Sequence, residues 1–97
     1  MAEISYHAEA EAEIQAATAW YLGRSRTAAV GLVEELERIT AMIQQFPELQ
    51  PSYDERHRFA VLRRYPYSLV YRVDGERIRV IAFAHSRRQA GYWQGRA

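Results

Sequence analysis

The sequence predicts an α+β fold: an N-terminal strand, then an antiparallel helical hairpin packed on a three- to four-stranded antiparallel sheet. Three observations carry this. Two stretches in the first half repeat apolar residues at helical spacing, and Gly23 and Ser25 separate them. Two β-type runs in the second half flank Asp74-Gly75, a strong hairpin signal. Pro47 and Pro51 divide the helical half from the strand half.

Taken in order, Glu3 to His7 is a short strand. Ala8 to Leu22 is a helix, with Ala10, Ile14, Ala17 and Tyr21 on one face; Trp20 and Tyr21 are expected at the helix–sheet contact. Gly23 stands at the stop, and Ser25 caps a second helix that runs to about Phe46. Its stripe is Ala29, Leu32, Leu36, Ile39, Ile43 and Phe46, in steps of three and four, and reads as a core face. So short a connection makes the two helices antiparallel. Arg58 to Arg64, Tyr65 to Val73 and Arg77 to His85 are strands. A two-residue type I′ turn at Asp74-Gly75 sets Val73 opposite Glu76, Arg72 opposite Arg77 and Tyr71 opposite Ile78. Alternation across the pleat then puts Tyr65, Tyr67, Leu69, Tyr71, Val73, Ile78, Val80, Ala82 and Ala84 on the helix-facing side. Ser68, Val70, Arg72, Arg77, Arg79, Ile81, Phe83 and His85 take the other, a basic surface suited to a partner.

At 97 residues the chain is expected to be one domain, residues 1–97. An apolar fraction of 48% with seven Tyr supports a packed core. Cysteine is absent, which excludes a disulfide framework and a thiolate metal centre. The three His are scattered, so neither a metal site nor a cofactor is expected. No apolar run approaches the roughly 20 residues of a membrane span. The acidic first residues lack a secretion pattern, and a cytoplasmic location is expected. The net charge of +1 hides a split. Residues 1–50 hold eight Glu and three Arg, net −5; residues 51–97 hold ten Arg and four acids, net +6. All thirteen basic residues are Arg, whose planar fork suits phosphate and carboxylate. Codon bias accounts for the missing Lys but less well for the clustering. An anionic partner, nucleic acid or an acidic protein segment, follows from the basic half.

The runs PYSLVYRV and IRVIAFAHSRR, then GYW, resemble the RelE/ParE toxins of type II toxin–antitoxin systems. So does the order of strand, helical hairpin and three-stranded meander. The tail resembles the ParE-type branch, the plasmid-stabilisation proteins, in its His85, Arg88, Tyr92 and Trp93. The resemblance implies a growth-inhibiting toxin neutralised by a cognate antitoxin and, for this branch, action on DNA gyrase. An alternative is a RelE-like endoribonuclease that cleaves messenger RNA on the ribosome. There, His85, Arg88 and Tyr92 would be the catalytic group. Ribonuclease relatives carry lysines on the first meander strand and an Arg after a strand Tyr; here Lys is absent and Ser68 follows Tyr67. A third possibility is a non-toxic binding module. The candidate target- or antitoxin-binding residues are Arg64, Arg72, Arg79, Arg87, Arg88 and Trp93. A structural reading stands beside each of them: solvated salt bridges for the arginines, and a tail anchor for Trp93.

Overall fold

The structure, a computed structural model, describes residues 2–97. Strand β1 spans Glu3–Tyr6, and helices α1 and α2 span Ala8–Leu22 and Arg26–Gln45. Strands β2, β3 and β4 follow at Arg58–Val61, Tyr67–Asp74 and Arg77–His85. Local chemistry explains the helix boundaries. His7 caps α1, its Nδ1 accepting from the Glu9 N–H at 3.0 Å, and Glu9 and Glu11 sit in the positive first turn. Ser25 caps α2, its Oγ accepting from the Ala28 N–H at 3.1 Å. Helix α2 stops at Gln45, two residues before Pro47.

The sheet order is β1-β4-β3-β2. It is mixed rather than wholly antiparallel, because β1 lies parallel to β4 at one edge. The chain between β1 and the meander contains both helices, long enough to recross the sheet and return in the same direction. Strand β2 is shorter than the sequence predicts, and β3 starts two residues late. Arg64 takes a left-handed backbone (φ 66°) and Pro66 follows, so pairing breaks between the two strands.

The hairpin register differs from expectation in two steps. Asp74 pairs with Arg77, so the turn residues are Gly75 and Glu76. Gly75 has φ 63° while Glu76 does not turn positive, the pattern of a type II′ turn with Gly at its first central position. That moves every partner by two residues and leaves the faces unchanged: Val73 meets Ile78, and Arg72 meets Arg79. Next, Tyr71 pairs with Val80 but Val70 pairs with Ala82, so Ile81 is an extra residue in β4. An insertion of one residue reverses the pleat beyond it. Phe83 and His85 therefore face the helices, and Ala82 and Ala84 face away, the reverse of the expected assignment.

Two cores result. The main one packs Ala10, Ala17, Leu32, Ile39 and Ile43 of the helices on Leu69, Tyr71, Ile78, Val80 and Phe83 of the sheet. The second lies on the opposite face, where Val70, Ile81 and Ala82 are covered by Trp93. The sequence leaves that face exposed or half covered; the C-terminal tail covers its middle. Two helix residues also depart from their expected burial. Phe46 and Trp20 are each 52% exposed, Phe46 because it lies past the last helical turn.

Since nothing lies within 4 Å of a Cβ placed on Gly75, its replacement tests the turn backbone alone. Gly75→Ala is expected to lower stability by about 1 kcal/mol through its left-handed conformation. A urea midpoint equal to the parent's would refute the II′ assignment.

Candidate functional site

The residues that organise the far end of the sheet meet at Glu13, one turn into α1. Strand β1 ends at Tyr6, opposite Val80, and the edge of β4 continues without a neighbour. Side chains complete it. The Glu13 carboxylate accepts the Phe83 N–H at 3.0 Å, and the Arg96 guanidinium donates to the Ile81 carbonyl at 3.1 Å. Buried backbone groups beside the bulge are thereby satisfied. Arg96 also grips Glu13 with two hydrogen bonds of 2.9 and 3.0 Å, and the Tyr92 hydroxyl donates to Glu13 at 2.7 Å. The Arg88 guanidinium stacks on Tyr92, 3.8 Å from the ring centroid, and comes within 3.9 Å of Glu13.

This geometry sets the protonation states. Burial alone would raise the Glu13 pKa, but the hydrogen bonds from Arg96, Tyr92 and Phe83 and the Arg96 charge pull it below the usual carboxylate range. Tyr92 is pushed up to about 12 by burial and by its hydrogen bond to Glu13. It stays a neutral donor and is a poor general acid or base at neutral pH.

A second knot holds the tail to the loop before β2. The Asp54 carboxylate accepts from the Arg56 and His57 backbone N–H groups at 2.8 Å and from Gln94 at 3.2 Å. His57 Nδ1 lies 2.9 Å from it. Burial opposes ionisation of Asp54, yet these hydrogen bonds bring its pKa down to about 2. His57 is buried and packs edge-on against Trp93, ring centroids 4.7 Å apart; its Nε2 has no hydrogen-bond partner. Tyr53 meets the same indole at 4.9 Å. Gly91, with φ 75°, turns the chain so that Trp93 drops onto the sheet. Among the described residues, no group of three or more His, Asp or Glu side chains is placed to hold a metal ion. No helix among them is long and apolar enough to cross a membrane.

A family model described as "ParE toxin of type II toxin-antitoxin system, parDE" matches residues 4–90. The chain belongs to the ParE toxin family. A solved structure titled "Chromosomal ParDE TA system from P. aeruginosa" is similar to it, with a TM-score of 0.73 and 22% identity. The match covers 88% of this chain and 96% of that one. At that identity it supports the fold: two helices on a four-stranded mixed sheet. None of the curated proteins matches the chain.

On this ParE-family scaffold His85, Arg88 and Tyr92 line one cleft of about 240 Å3, but Arg64, Arg72 and Arg79 do not share a surface with them. Arg72 and Arg79 pair near the hairpin turn. Arg72 is tied to Asp74 at 2.9 Å and to the Ala97 carbonyl at 3.2 Å, and Arg79 donates to Ser5 at 3.3 Å. His85 lies at the other end of β4, roughly 20 Å along the strand. The bulge turns it toward the helices, edge-on to Tyr67 with ring centroids 5.0 Å apart. Its Nδ1 accepts the Arg87 N–H at 3.0 Å, so its position fixes the turn that carries Arg87 and Arg88, both exposed. Arg64 lies in a separate cleft of about 350 Å3 beside Glu34, Glu35 and Arg38. Trp93 is only 3% exposed and anchors the tail; it offers no contact surface. Glu13 and Arg96 escaped the sequence reading. They are 83 residues apart, and no local spacing signals their pairing.

The ParE-family tail is consequently expected to be acid-labile. Both Glu13 and Asp54 titrate lower in the folded chain than when unfolded. Their stabilisation is complete above the unfolded carboxylate pKa near 4 and lost as pH falls through the folded values, toward about 2 for Asp54. Melting followed by circular dichroism should fall steeply between pH 5 and pH 2 (roughly the window of these two pKa values). A flat profile would contradict both knots.

Proposed function

We propose that this chain is a growth-inhibiting toxin that acts by binding DNA gyrase, and that a cognate antitoxin neutralises it. The family places it among the toxins of type II systems. The observation that supports binding over RNA cleavage is that the acid/base candidates His85, Arg88 and Tyr92, although they line one cleft of about 240 Å3, are engaged within the fold and lie apart from Arg72 and Arg79. RNA cleavage needs a base, an acid and cations around one phosphate. Here the Tyr92 hydroxyl is committed to Glu13, and Arg88 is stacked on the Tyr92 ring. His85 points to the helix side, away from the face that bears Arg72 and Arg79. With Lys absent, no basic set of the ribonuclease kind is assembled.

The purified chain is expected to inhibit gyrase supercoiling and to accumulate cleaved DNA, while leaving messenger RNA intact in a ribosome reaction. Cut messenger RNA with unaffected gyrase would overturn the reading. His85→Ala discriminates further. A general acid or base contributes about 10²–10⁴-fold, so a ribonuclease would lose that much. A gyrase-binding toxin is expected to retain toxicity within about tenfold of the parent, since no proton transfer is removed.

A further inference from the structure

Strand β4 carries a hazardous stretch. Val80 to Ala84 reads VIAFA, all apolar, uncharged and free of Pro, the composition of a segment prone to pair with other chains. Between two strands such a stretch is safe, but β1 ends at Tyr6, opposite Val80. From Ile81 to His85, β4 therefore borders β3 on one side and, among the described residues, no strand on the other. Open backbone beside apolar side chains is a template for an incoming strand.

The outer strands of the sheet are protected in other ways. Strand β1 is only four residues long, which gives a second chain little to pair with. Strand β2 is equally short, and the loop before it takes its free side. There the Phe59 N–H donates to the Pro51 carbonyl at 3.2 Å, and Ser52 bridges to Arg58. The last part of β4 has neither device. Two side chains from distant parts of the chain close it instead. Glu13 reaches it from α1 and accepts the Phe83 N–H; Arg96 reaches it from the tail and donates to the Ile81 carbonyl. The two side chains bond each other twice, so helix and tail meet across the edge.

Stability alone would not select charge at this place. Two apolar side chains of similar volume would fill the space as well. They would leave the Phe83 N–H and the Ile81 carbonyl free for an incoming strand. An ion pair excludes that strand, because pairing would bury its charges unmatched. Lys is the usual edge charge; this chain has none, and an Arg serves.

We infer that the Glu13–Arg96 pair guards this edge: it keeps Ile81 to His85 from pairing antiparallel with the same stretch of a second copy of the chain. Antiparallel pairing about Phe83 is self-complementary, since each copy presents the same groups to the other across a two-fold axis. The guard is a property of the fold and does not depend on the gyrase reading.

The test is the double change Glu13→Leu with Arg96→Leu in the full chain. It keeps apolar bulk, leaves neither charge of the pair behind and removes both hydrogen bonds to β4. Sedimentation equilibrium over a dilution series is expected to give the parent one mass and the variant a mass that rises with concentration. Hydrogen exchange locates the contact. The Phe83 N–H should be protected in the parent at every concentration. In the dilute double variant it should exchange about tenfold faster or more, since a hydrogen bond to a charged acceptor is lost. Protection should return as the variant is concentrated. Adding Ala84→Lys, at a half-buried position on the same stretch, should restore a single mass, as an edge Lys does. Circular dichroism checks folding. If the leucine pair unfolds the chain, Arg96→Leu alone replaces it; Glu13 then stays on the Phe83 N–H, and a weaker rise in mass is expected. A folded variant, double or in that event single, with the parent's constant mass overturns the guard. So does association without renewed protection at Phe83, which would place the contact elsewhere, and so does a Phe83 N–H that exchanges freely in the parent.

Discussion

Trp93→Ala is expected to destabilise the fold by about 3–5 kcal/mol, the range for removing a large aromatic from a core. A domain of this size has only about 5–15 kcal/mol in total, so the variant should be partly unfolded at 37 °C. The indole covers Val70, Ile81 and Ala82 on the sheet face that the helices leave bare. It also stacks against His57 and Tyr53. Truncation opens a cavity, wets three apolar side chains and removes the cover from the buried His57 ring. Trp93→Phe keeps much of that cover and should cost clearly less. Urea unfolding with far-ultraviolet detection measures both. A midpoint for Trp93→Ala within error of the parent's would mean that the tail is an appendage and not part of the core.

Glu13→Gln is expected to cost about 3 kcal/mol, in the range for removing one member of a buried ion pair. The change preserves shape and removes charge. Arg96 keeps its positive charge at a position where both side chains are only 16% exposed, so solvent compensates poorly. The Tyr92 and Phe83 donors also lose a charged acceptor. The double variant Glu13→Gln with Arg96→Gln should cost less than the sum of the two single changes, because the second removes the charge left unpaired by the first. Additive losses in a urea double-mutant cycle would show that the two side chains are not coupled. The near-ultraviolet signal of Trp93 should weaken in either single variant, since Arg96 holds the chain end beside it.

Both large effects fall on the C-terminal tail, and the reason is the shape of the sheet. A two-helix layer covers one face of four strands. The other face and the last third of β4 need material from elsewhere in the chain. The tail supplies Trp93 to the face and Arg96 to the edge.

Local sequence was sufficient for most of the frame. Helix boundaries followed from caps and prolines, because capping involves atoms within four residues of each other. Strand β4 and the existence of the hairpin followed from alternation and the Asp74-Gly75 pair. The basic meander and the Tyr92-Trp93 tail sufficed for the family resemblance. Register was less legible. Asp74-Gly75-Glu76 permits Gly at either central position of a two-residue turn, and the two choices differ by two residues, which leaves the inward set near the turn identical. Nothing in alternation separates them.

What the sequence by itself determined is the order and type of the elements, the two antiparallel helices and the concentration of Arg in the second half. These rest on interactions between near neighbours or on composition. What only the tertiary structure decided is which way the far end of β4 faces. The space under α1 takes the ring of Phe83, the space under Trp93 takes Ala82 and Ala84, and inserting Ile81 satisfies both. That choice depends on volumes contributed by helix, sheet and tail together. It separates His85 from Arg72 and Arg79, and it joins Glu13 to Arg96 across nearly the whole length of the chain.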